Sequence, residues 1–430
     1  MKVINFNSEN FWIYLDKHLS LREVDTSYKI DDEVKLIIDD VKKFGDDKIV
    51  QFAKNFNKIS IKKNEIKIAD LKKLYSIDKL NKQTIESFKL AIHNIKIFHE
   101  KQIPENYEII NMDTRLQSIW KPLESVGLYI PGGNAVYPSS LLMSVVPAQI
   151  AGVKRIVCVT PPTLTFNPYL AFLLDELGIN EVYQVGGAQA IAALTFGTNT
   201  IKPVNKIFGP GNAYVAAAKK QVFGKVGIDL VAGPSEIIVV ADETSNAEWV
   251  ASDLMAQAEH DENAQSILIT NSNKFADQVL EKINNLLNVV SKKDIINLSL
   301  KKNGLIVIMD DLLSSYKVIN KIGPEHLHLQ VKEKEDILKN INNAGGVFLG
   351  NYSAEAFGDY VVGTNHVLPT SGAAKFSSGL GVLDFMKKSS LVEINETSFN
   401  LLSKHVKNIA EVENLDAHKL SVTIRQTKKN

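Results

Sequence analysis

The run VGLYIPGG at residues 126–133 introduces a series of short apolar stretches that end in glycine, proline or aspartate. The others are RIVCVTPP (155–162), EVYQVGGAQA (181–190), KIFGPGNA (206–213), SEIIVVAD (235–242), SILIT (266–270), LIVIMDD (305–311) and GGVFLG (345–350). Runs of this kind are typical of buried parallel strands that lead into loops. Helical stretches such as 138–152 and 212–224 lie between them, so the pattern predicts an α/β fold with right-handed crossovers. We expect ligands outside the carboxyl ends of the strands.

The residues on both sides of this region have a helical pattern. Val34, Ile37, Ile38 and Val41 follow the i, i+3, i+4, i+7 spacing of a helix face that packs on a core. A second helical stretch covers residues 399–415, and the run SVTIR (421–425) predicts a short strand after it. The α/β region is therefore expected to have helical segments before and after it.

Composition limits the classes of function. A length of 430 residues suggests two or three domains. The chain has 49 Lys and Arg and 49 Asp and Glu, and this zero net charge argues against a nucleic-acid partner. The single cysteine, Cys158, excludes an intrachain disulfide or a cysteine-rich metal cluster and suits a reducing compartment. No signal peptide or membrane span is evident, so we expect a cytoplasmic protein without a membrane partner.

Three glycine-rich turns are suited to close approach of a ligand to the backbone. They are Tyr129–Gly133, Val185–Gln189 and Phe208–Asn212. Glycine exposes backbone N–H groups, and a following helix N-terminus favours an anion. None of the turns is a G-x-G-x-x-G fingerprint, because Tyr214 occupies the third glycine position after Gly209 and Gly211. Ordinary turn glycines therefore remain an equal alternative to a dinucleotide site.

A helix after Ser245 places polar side chains on its apolar face. Ser245 to Glu248 has the spacing of a capping box. On a helical wheel Gln257 falls between Val250 and Leu254, and His260 lies three residues further on. Buried polar groups need partners, so these two residues are either a hydrogen-bonded core glutamine and a helix-end histidine, or ligands of a metal ion.

The segment after Pro324 is the best candidate for acid–base chemistry. An imidazole such as His326 can accept an alcohol proton near neutral pH, and a carboxylate such as Glu325 can activate water. In an extended stretch the two side chains point to opposite sides, which predicts separate proton transfers. His328 is expected to be a surface residue at a strand edge.

Further along the chain, Asp359 and His418 are possible ligands from distant segments. Each can equally be an ordinary turn carboxylate or a solvated helix-end residue.

Several long strings resemble histidinol dehydrogenases. They are GLYIPGG, VGGAQAIAALTFGT, KIFGPGNAYV, AGPSEIIVVAD, ASDLMAQAEH, PEHLHLQ, GDYVVGTNHVLPTSG and LDAHK, and they run from about Val126 to His418. The resemblance implies a Zn²⁺ ion held by Gln257, His260, Asp359 and His418. It implies Glu325 and His326 as the catalytic pair, and Tyr129, Gln189 and Asn212 as contacts of NAD⁺. Substrate contacts would be Ser235 and Glu413, together with His326 and the four metal ligands.

The resemblance also implies an architecture. Two incomplete Rossmann-like domains are expected, one from residues 26–125 with 236–378 and the other from 126–235. Small helical extensions, 1–25 and 379–430, would exchange in an intertwined homodimer, so that Glu413 and His418 reach the active site of the second subunit.

The implied reaction oxidises L-histidinol to L-histidine through an aldehyde, with two NAD⁺ and one water. Cys158 lies inside an apolar run, so a hydrate is expected at the aldehyde stage and a thioester is not. Two alternatives remain at this level. A zinc hydrolase with Glu325 as the base would need no NAD⁺, and a two-domain binding protein would show no turnover.

Overall fold

The computed structural model describes residues 1–20, 28–132, 137–231 and 233–426. The α-helices are α1 (Phe11–Ser20), α2 (Tyr28–Phe44), α3 (Asp46–Asn57), α4 (Lys82–Glu100), α5 (Pro138–Ile150), α6 (Pro168–Glu176), α7 (Gly187–Phe196), α8 (Ala213–Val222), α9 (Ala247–Ala258), α10 (Asn273–Leu286), α11 (Lys293–Asn303), α12 (Tyr316–Ile322), α13 (Lys334–Leu338), α14 (Glu355–Tyr360), α15 (Glu396–Val412) and α16 (Asp416–Gln426). Short 3-10 helices cover Lys63–Glu65, Leu71–Leu74, Ile77–Lys79, Leu312–Ser315, Ala373–Lys375 and Val382–Phe385.

The strands form three sheets. They are β1 (Lys2–Asn5), β2 (Tyr107–Asn111), β3 (Thr114–Pro122), β4 (Ser125–Tyr129), β5 (Arg155–Thr160), β6 (Glu181–Gln184), β7 (Lys206–Phe208), β8 (Gly227–Ile228), β9 (Glu236–Ala241), β10 (Gln265–Thr270), β11 (Leu305–Ile308), β12 (His326–Gln330), β13 (Gly346–Leu349) and β14 (Met386–Ile394). Each apolar run quoted above overlaps one of them. The prediction of an α/β fold is confirmed, because helices separate most consecutive strands of the two larger sheets.

Both larger sheets are parallel, and their strands are added in the same order around one inner strand, β4 in the five-stranded sheet and β9 in the six-stranded sheet. The five-stranded sheet has the order β6-β5-β4-β7-β8, and the six-stranded sheet has the order β1-β11-β10-β9-β12-β13. In each sheet the chain adds two strands on one side of the inner strand and then two on the other. The edge strand β1, near the chain start, was not expected from the sequence.

The third sheet is antiparallel, with the order β14-β3-β2, and it too was not expected. The prediction of a strand at SVTIR is wrong, because these residues lie in α16. This helix packs against α15, where Gln426 Nε2 donates to Ser403 Oγ at 2.7 Å. Packing between the two helices thus overrides the strand preference of the β-branched residues.

Helices α2 and α3 pack against the five-stranded sheet. Val34, Ile38 and Val41 of α2 share a buried core with Ile191 of α7 and Val215 of α8. The structure therefore places residues 28–57 beside the five-stranded sheet, while the domain boundaries themselves stay a prediction. Among the described helices, none has both the length and the apolar content to cross a membrane.

Candidate active site

A cluster of polar side chains lies at the amino ends of the inner strands of the six-stranded sheet. His326 is the first residue of β12, and it pairs in register with Ile237 of β9 and Gly346 of β13. Gln257 comes from the last turn of α9, and Glu355 comes from α14. The expectation of functional residues at the carboxyl ends of the strands is wrong for this cluster, because α9 carries its polar residues back to the amino edge.

His326 has one engaged nitrogen and one without a partner. Nδ1 lies 3.1 Å from the carbonyl oxygen of Glu236, which fixes it as the N–H donor. Nε2 is buried and has no hydrogen-bond partner among the described residues. Burial lowers the pKa of His326 to about 3, a hydrogen bond to the Glu236 backbone opposes this, and the charges of His260 and His366 add to the lowering. The imidazole is therefore neutral at pH 7, with a lone pair on Nε2.

Glu325 lies beside His326 and does not point away from it. Its Oε2 accepts the backbone N–H of Glu236 at 3.0 Å and lies 3.7 Å from His326 Nδ1. The expectation of opposite sides is wrong, because the strand begins only at His326 and Glu325 is outside its alternation. Burial raises the pKa of Glu325 well above its ordinary value, and the carboxylates of Glu236 and Asp359 add to the shift.

Two carboxylates on α14 complete the centre of the cluster. Glu355 Oε1 lies 3.6 Å from His326 Nδ1. Ligand atoms of His326, Glu355 and Asp359 all lie within 4.8 Å of one another, so this group can hold a cation. Burial raises the pKa of Asp359 to about 6. Sequence reasoning missed Glu355, although its four-residue spacing from Asp359 on a helix would have indicated it.

Gln257 is fully buried and points into the same cluster. With its NH₂ group facing Glu355, Nε2 lies 2.6 and 3.0 Å from the two carboxylate oxygens and 3.2 Å from His326 Nδ1. The prediction of an inward Gln257 is thus confirmed. The predicted capping box is wrong: Asn246 caps α9 by accepting the N–H groups of Glu248 and Trp249, while Ser245 Oγ donates to the carbonyl of Gln330.

The loop that follows α14 is held by the other half of the molecule. Asn365 Nδ2 donates to the carbonyl of Met143 on α5 at 2.7 Å. His366 Nδ1 lies 3.0 Å from the carbonyl of Asp359, and burial lowers the pKa of His366 to about 4. His366 was not predicted as a site residue. It lines, with His326 and Asp359, a cavity of about 690 Å³ that is large enough for a small polar substrate.

The three predicted glycine-rich turns meet at the carboxyl edge of the five-stranded sheet. Tyr129 Oη accepts the backbone N–H of Gly187 at 3.1 Å, and Gln189 is buried beside it. Gly209 has a φ of 107°, and a Cβ there would overlap the Tyr129 carbonyl. Asn212 is exposed and its side chain caps α8. The residues of this proposed cofactor site thus converge, apart from Gly133, which lies outside the described residues.

A buried ion pair fixes the third turn. Lys219 Nζ donates to the carbonyl of Gly209 at 3.1 Å and to Asp229, and the Gly209 N–H donates to Asp229 Oδ2 at 2.7 Å. The Lys219 and Asp229 side chains are only 2% and 3% exposed. The backbone N–H and the carbonyl of Gly209 are therefore both hydrogen-bonded by this pair.

Substituting methionine for Lys219 is expected to lower the free energy of unfolding by roughly 3–5 kcal/mol, because Asp229 would remain buried without its counter-charge. Urea denaturation measures the change. Lys220→Met, at the exposed neighbouring position, should alter stability by less than about 0.5 kcal/mol. Equal effects of the two substitutions would contradict a special role for the Lys219–Asp229 pair.

His328 is not a surface residue, so that prediction is wrong. It is fully buried because β12 lies between β9 and β13. Its Nε2 donates to the carbonyl of Gly350 at 2.9 Å, and its Nδ1 lies 3.1 Å from Asp253 Oδ2. His328 therefore belongs to the structural core beneath the cluster.

The remaining predicted site residues divide into two groups. Ser235 directly precedes Glu236 at the amino end of β9. His260 is exposed, and its charge contributes to lowering the pKa of both His326 and His366. Glu413 and His418 are exposed beside α15 and on α16. Within the part of the chain that the structure describes, neither has a hydrogen bond or ion pair to the cluster.

Fold and site together define an enzyme class. The six-stranded sheet carries a neutral buried imidazole among carboxylates, and the five-stranded sheet carries a set of glycine-rich turns. These features are typical of an α/β enzyme that catalyses proton transfer at a small substrate.

Comparison with known proteins identifies the family. The family model "Histidinol dehydrogenase" matches residues 20–426. Histidinol dehydrogenases of Brucella suis biovar 1 and Rhodospirillum rubrum are each 44% identical, over 406 and 407 residues, with 94% of each chain covered. The crystal structure of histidinol dehydrogenase from Elizabethkingia anophelis superimposes with a TM-score of 0.92 at 35% identity, over 99% of this chain and 98% of that one.

The chain therefore belongs to the histidinol dehydrogenase family, and the resemblance found in the sequence is confirmed. It is an oxidoreductase that supports histidine biosynthesis by oxidising histidinol.

Proposed function

We propose that the chain carries out a zinc-dependent, four-electron oxidation of L-histidinol to L-histidine, with L-histidinal as the intermediate and NAD⁺ as the hydride acceptor. The observation that carries this proposal is the buried, unpartnered Nε2 of His326 at the cavity wall. A neutral imidazole in that position can accept a hydroxyl proton as hydride leaves the same carbon.

The donor set at the amino edge suits a divalent cation. Gln257, His260 and Asp359 would hold it, with His418 supplied by the second subunit of a homodimer. Amide oxygen, imidazole and carboxylate ligands fit Zn²⁺ as well as other divalent ions. When bound, zinc would hold the imidazole and the amine of the substrate, and would thereby orient the substrate for reaction.

The first oxidation requires a base at the carbinol oxygen. His326 Nε2 takes the hydroxyl proton, and a hydride passes from the carbon to NAD⁺. The carboxylates of Glu325 and Glu355, 3.7 and 3.6 Å from Nδ1, stabilise the imidazolium that forms.

The second oxidation begins with water. Glu325, whose pKa is raised by burial, takes a proton from water as its oxygen adds to the aldehyde. The imidazolium of His326 returns its proton to the former carbonyl oxygen, so the hydrate forms and His326 is neutral again. His326 then accepts a hydroxyl proton of the hydrate, and the second hydride passes to a second NAD⁺. The pKa of Cys158 is itself raised by complete burial, which leaves this thiol unsuited to attack an aldehyde.

The turns at the carboxyl edge of the five-stranded sheet are the proposed NAD⁺ site. Glycine at these turns lets a ligand approach the backbone closely, and the N-terminus of α8 suits a pyrophosphate. In both parallel sheets the chain adds strands first on one side of the inner strand and then on the other, and this strand order supports a Rossmann-like description. A cytoplasmic location stays a prediction.

The test of this function uses the full-length protein with L-histidinol and NAD⁺. We expect NADH absorbance to rise, two NADH to form per histidine, and activity to fall to background after treatment with a chelator and return with Zn²⁺. Product formation without NAD⁺ would favour a zinc hydrolase, and binding without turnover would favour a binding protein. Full activity after complete metal removal would contradict the metal assignment.

A homodimer with shared sites is also proposed, because Glu413 follows the end of α15, His418 lies on α16, and both helices carry exposed apolar residues. The exposed set includes Ile409, Val412, Leu415, Leu420 and Ile424. A surface of this kind is typical of a subunit contact.

Co-expression of His418→Asn and His326→Asn chains tests the shared site. Each variant alone should be inactive, and the mixture should recover about a quarter of wild-type activity, since half of the dimers are hybrids with one complete site. If His418 served its own subunit, the mixture would stay inactive.

A further inference from the structure

We infer that Glu355 is the positioning residue that orients the amide of Gln257 toward the bound metal, an inference that rests on the proposed function. Glu355 is the first residue of α14 and only 3% exposed. A buried carboxylate is costly unless it is well paired, so its position beside a predicted ligand needs an explanation.

The contact between the two side chains explains it. With the NH₂ group of Gln257 facing Glu355, Nε2 lies 2.6 Å from Oε1 and 3.0 Å from Oε2. The amide oxygen then points away from the carboxylate. Only this oxygen can bind a cation, because the NH₂ group has donors and no acceptor. A glutamine turned by 180° would present its N–H groups to the metal, and Glu355 is the group that disfavours this orientation.

The competing role for Glu355 is direct ligation, because its carboxylate lies within 4.8 Å of ligand atoms of His326 and Asp359. The hydrogen-bond geometry favours positioning. Both of its oxygens are within hydrogen-bonding distance of the same amide nitrogen. Carboxylates that hold a metal ligand in this way typically change metal affinity 10–100-fold when they are removed.

The experiment measures Zn²⁺ affinity of the full-length protein by competition with a chromogenic chelator. Glu355→Leu is expected to weaken Zn²⁺ binding roughly 10–100-fold. Glu355→Gln, which preserves size and one acceptor oxygen, should weaken it by a smaller factor and covers the case in which the leucine variant does not fold. Glu248→Gln, an exposed carboxylate on α9, is the control and should bind as wild type does.

A double variant separates positioning from direct ligation. If Glu355 acts through Gln257, then Gln257→Leu together with Glu355→Leu should bind no more weakly than Gln257→Leu alone. The Co²⁺-loaded Glu355→Leu and Gln257→Leu proteins should also share one visible absorption spectrum. Losses that add in the double variant would overturn the inference in favour of ligation, and wild-type affinity in both Glu355 variants would overturn it altogether. A wild-type protein that binds no Zn²⁺ would instead reject the proposed function.

Discussion

Replacing His326 with asparagine is expected to lower kcat for histidinol oxidation by roughly 10²–10⁴-fold, the usual contribution of a positioned general base. His326 serves both oxidations in the proposed mechanism, so neither the alcohol nor the aldehyde should be oxidised at an appreciable rate. Asparagine can still donate an N–H to the carbonyl of Glu236, which His326 Nδ1 contacts at 3.1 Å. The substitution therefore removes the free Nε2 with little change to the surrounding hydrogen bonds.

The measurement is steady-state NADH formation, with zinc content determined on the same samples. We expect zinc to be retained, because the proposed ligands are Gln257, His260, Asp359 and His418. The matched control is His93→Asn, a histidine exposed on α4, which should keep wild-type turnover. Wild-type rates in the His326 variant would remove this residue from the mechanism. Loss of zinc together with activity would instead indicate that His326 is a ligand.

Eight strands of the two parallel sheets were predictable, because each lies in a short apolar run with a clear boundary. The glycine-rich turns at Tyr129, Gly187 and Gly209 follow three such runs, and parallel strands place their ends at one edge of the sheet. Their convergence therefore follows from the pattern. The antiparallel sheet was missed because β2 and β3 mix exposed and half-buried residues and lack a continuous apolar run.

The catalytic cluster was only partly predictable. Gln257 was recognisable because a polar residue on an apolar helix face needs a buried partner. The identity of that partner, Glu355, depends on how α14 crosses the amino ends of β12 and β13, and no local pattern encodes this crossing. His328 was misplaced for a related reason, because the sequence does not tell an edge strand from one enclosed by two neighbours.

The resemblance supplied what local patterns could not. Asp359 is separated from His326 by the rest of β12, by α13 and by β13. Glu413 and His418 remain exposed in a single chain. Spacing alone cannot bring such distant residues together. Their grouping comes from the shared strings of the family, and for the last two residues it awaits the mixed-subunit experiment.

Glu325→Gln separates the two halves of the reaction. Glutamine keeps the shape of Glu325, and its Oε1 can still accept the Glu236 N–H that the carboxylate now accepts at 3.0 Å. It cannot take a proton from water. We therefore expect oxidation of supplied L-histidinal to fall roughly 10²–10⁴-fold, whereas the first hydride transfer from L-histidinol, measured in a single turnover, should fall by a much smaller factor.

The ratio of the two losses decides whether Glu325 is the water base, because a general disturbance of the site would slow both steps alike. The substitution replaces a carboxylate 3.7 Å from His326 Nδ1 by a neutral amide. We therefore expect a modest slowing of the first hydride transfer as well. Glu333→Gln, at an exposed position, controls for the change of a glutamate to an amide. Equal impairment of alcohol and aldehyde oxidation would reassign Glu325 to support of His326, and the hydration of the aldehyde would then need another base.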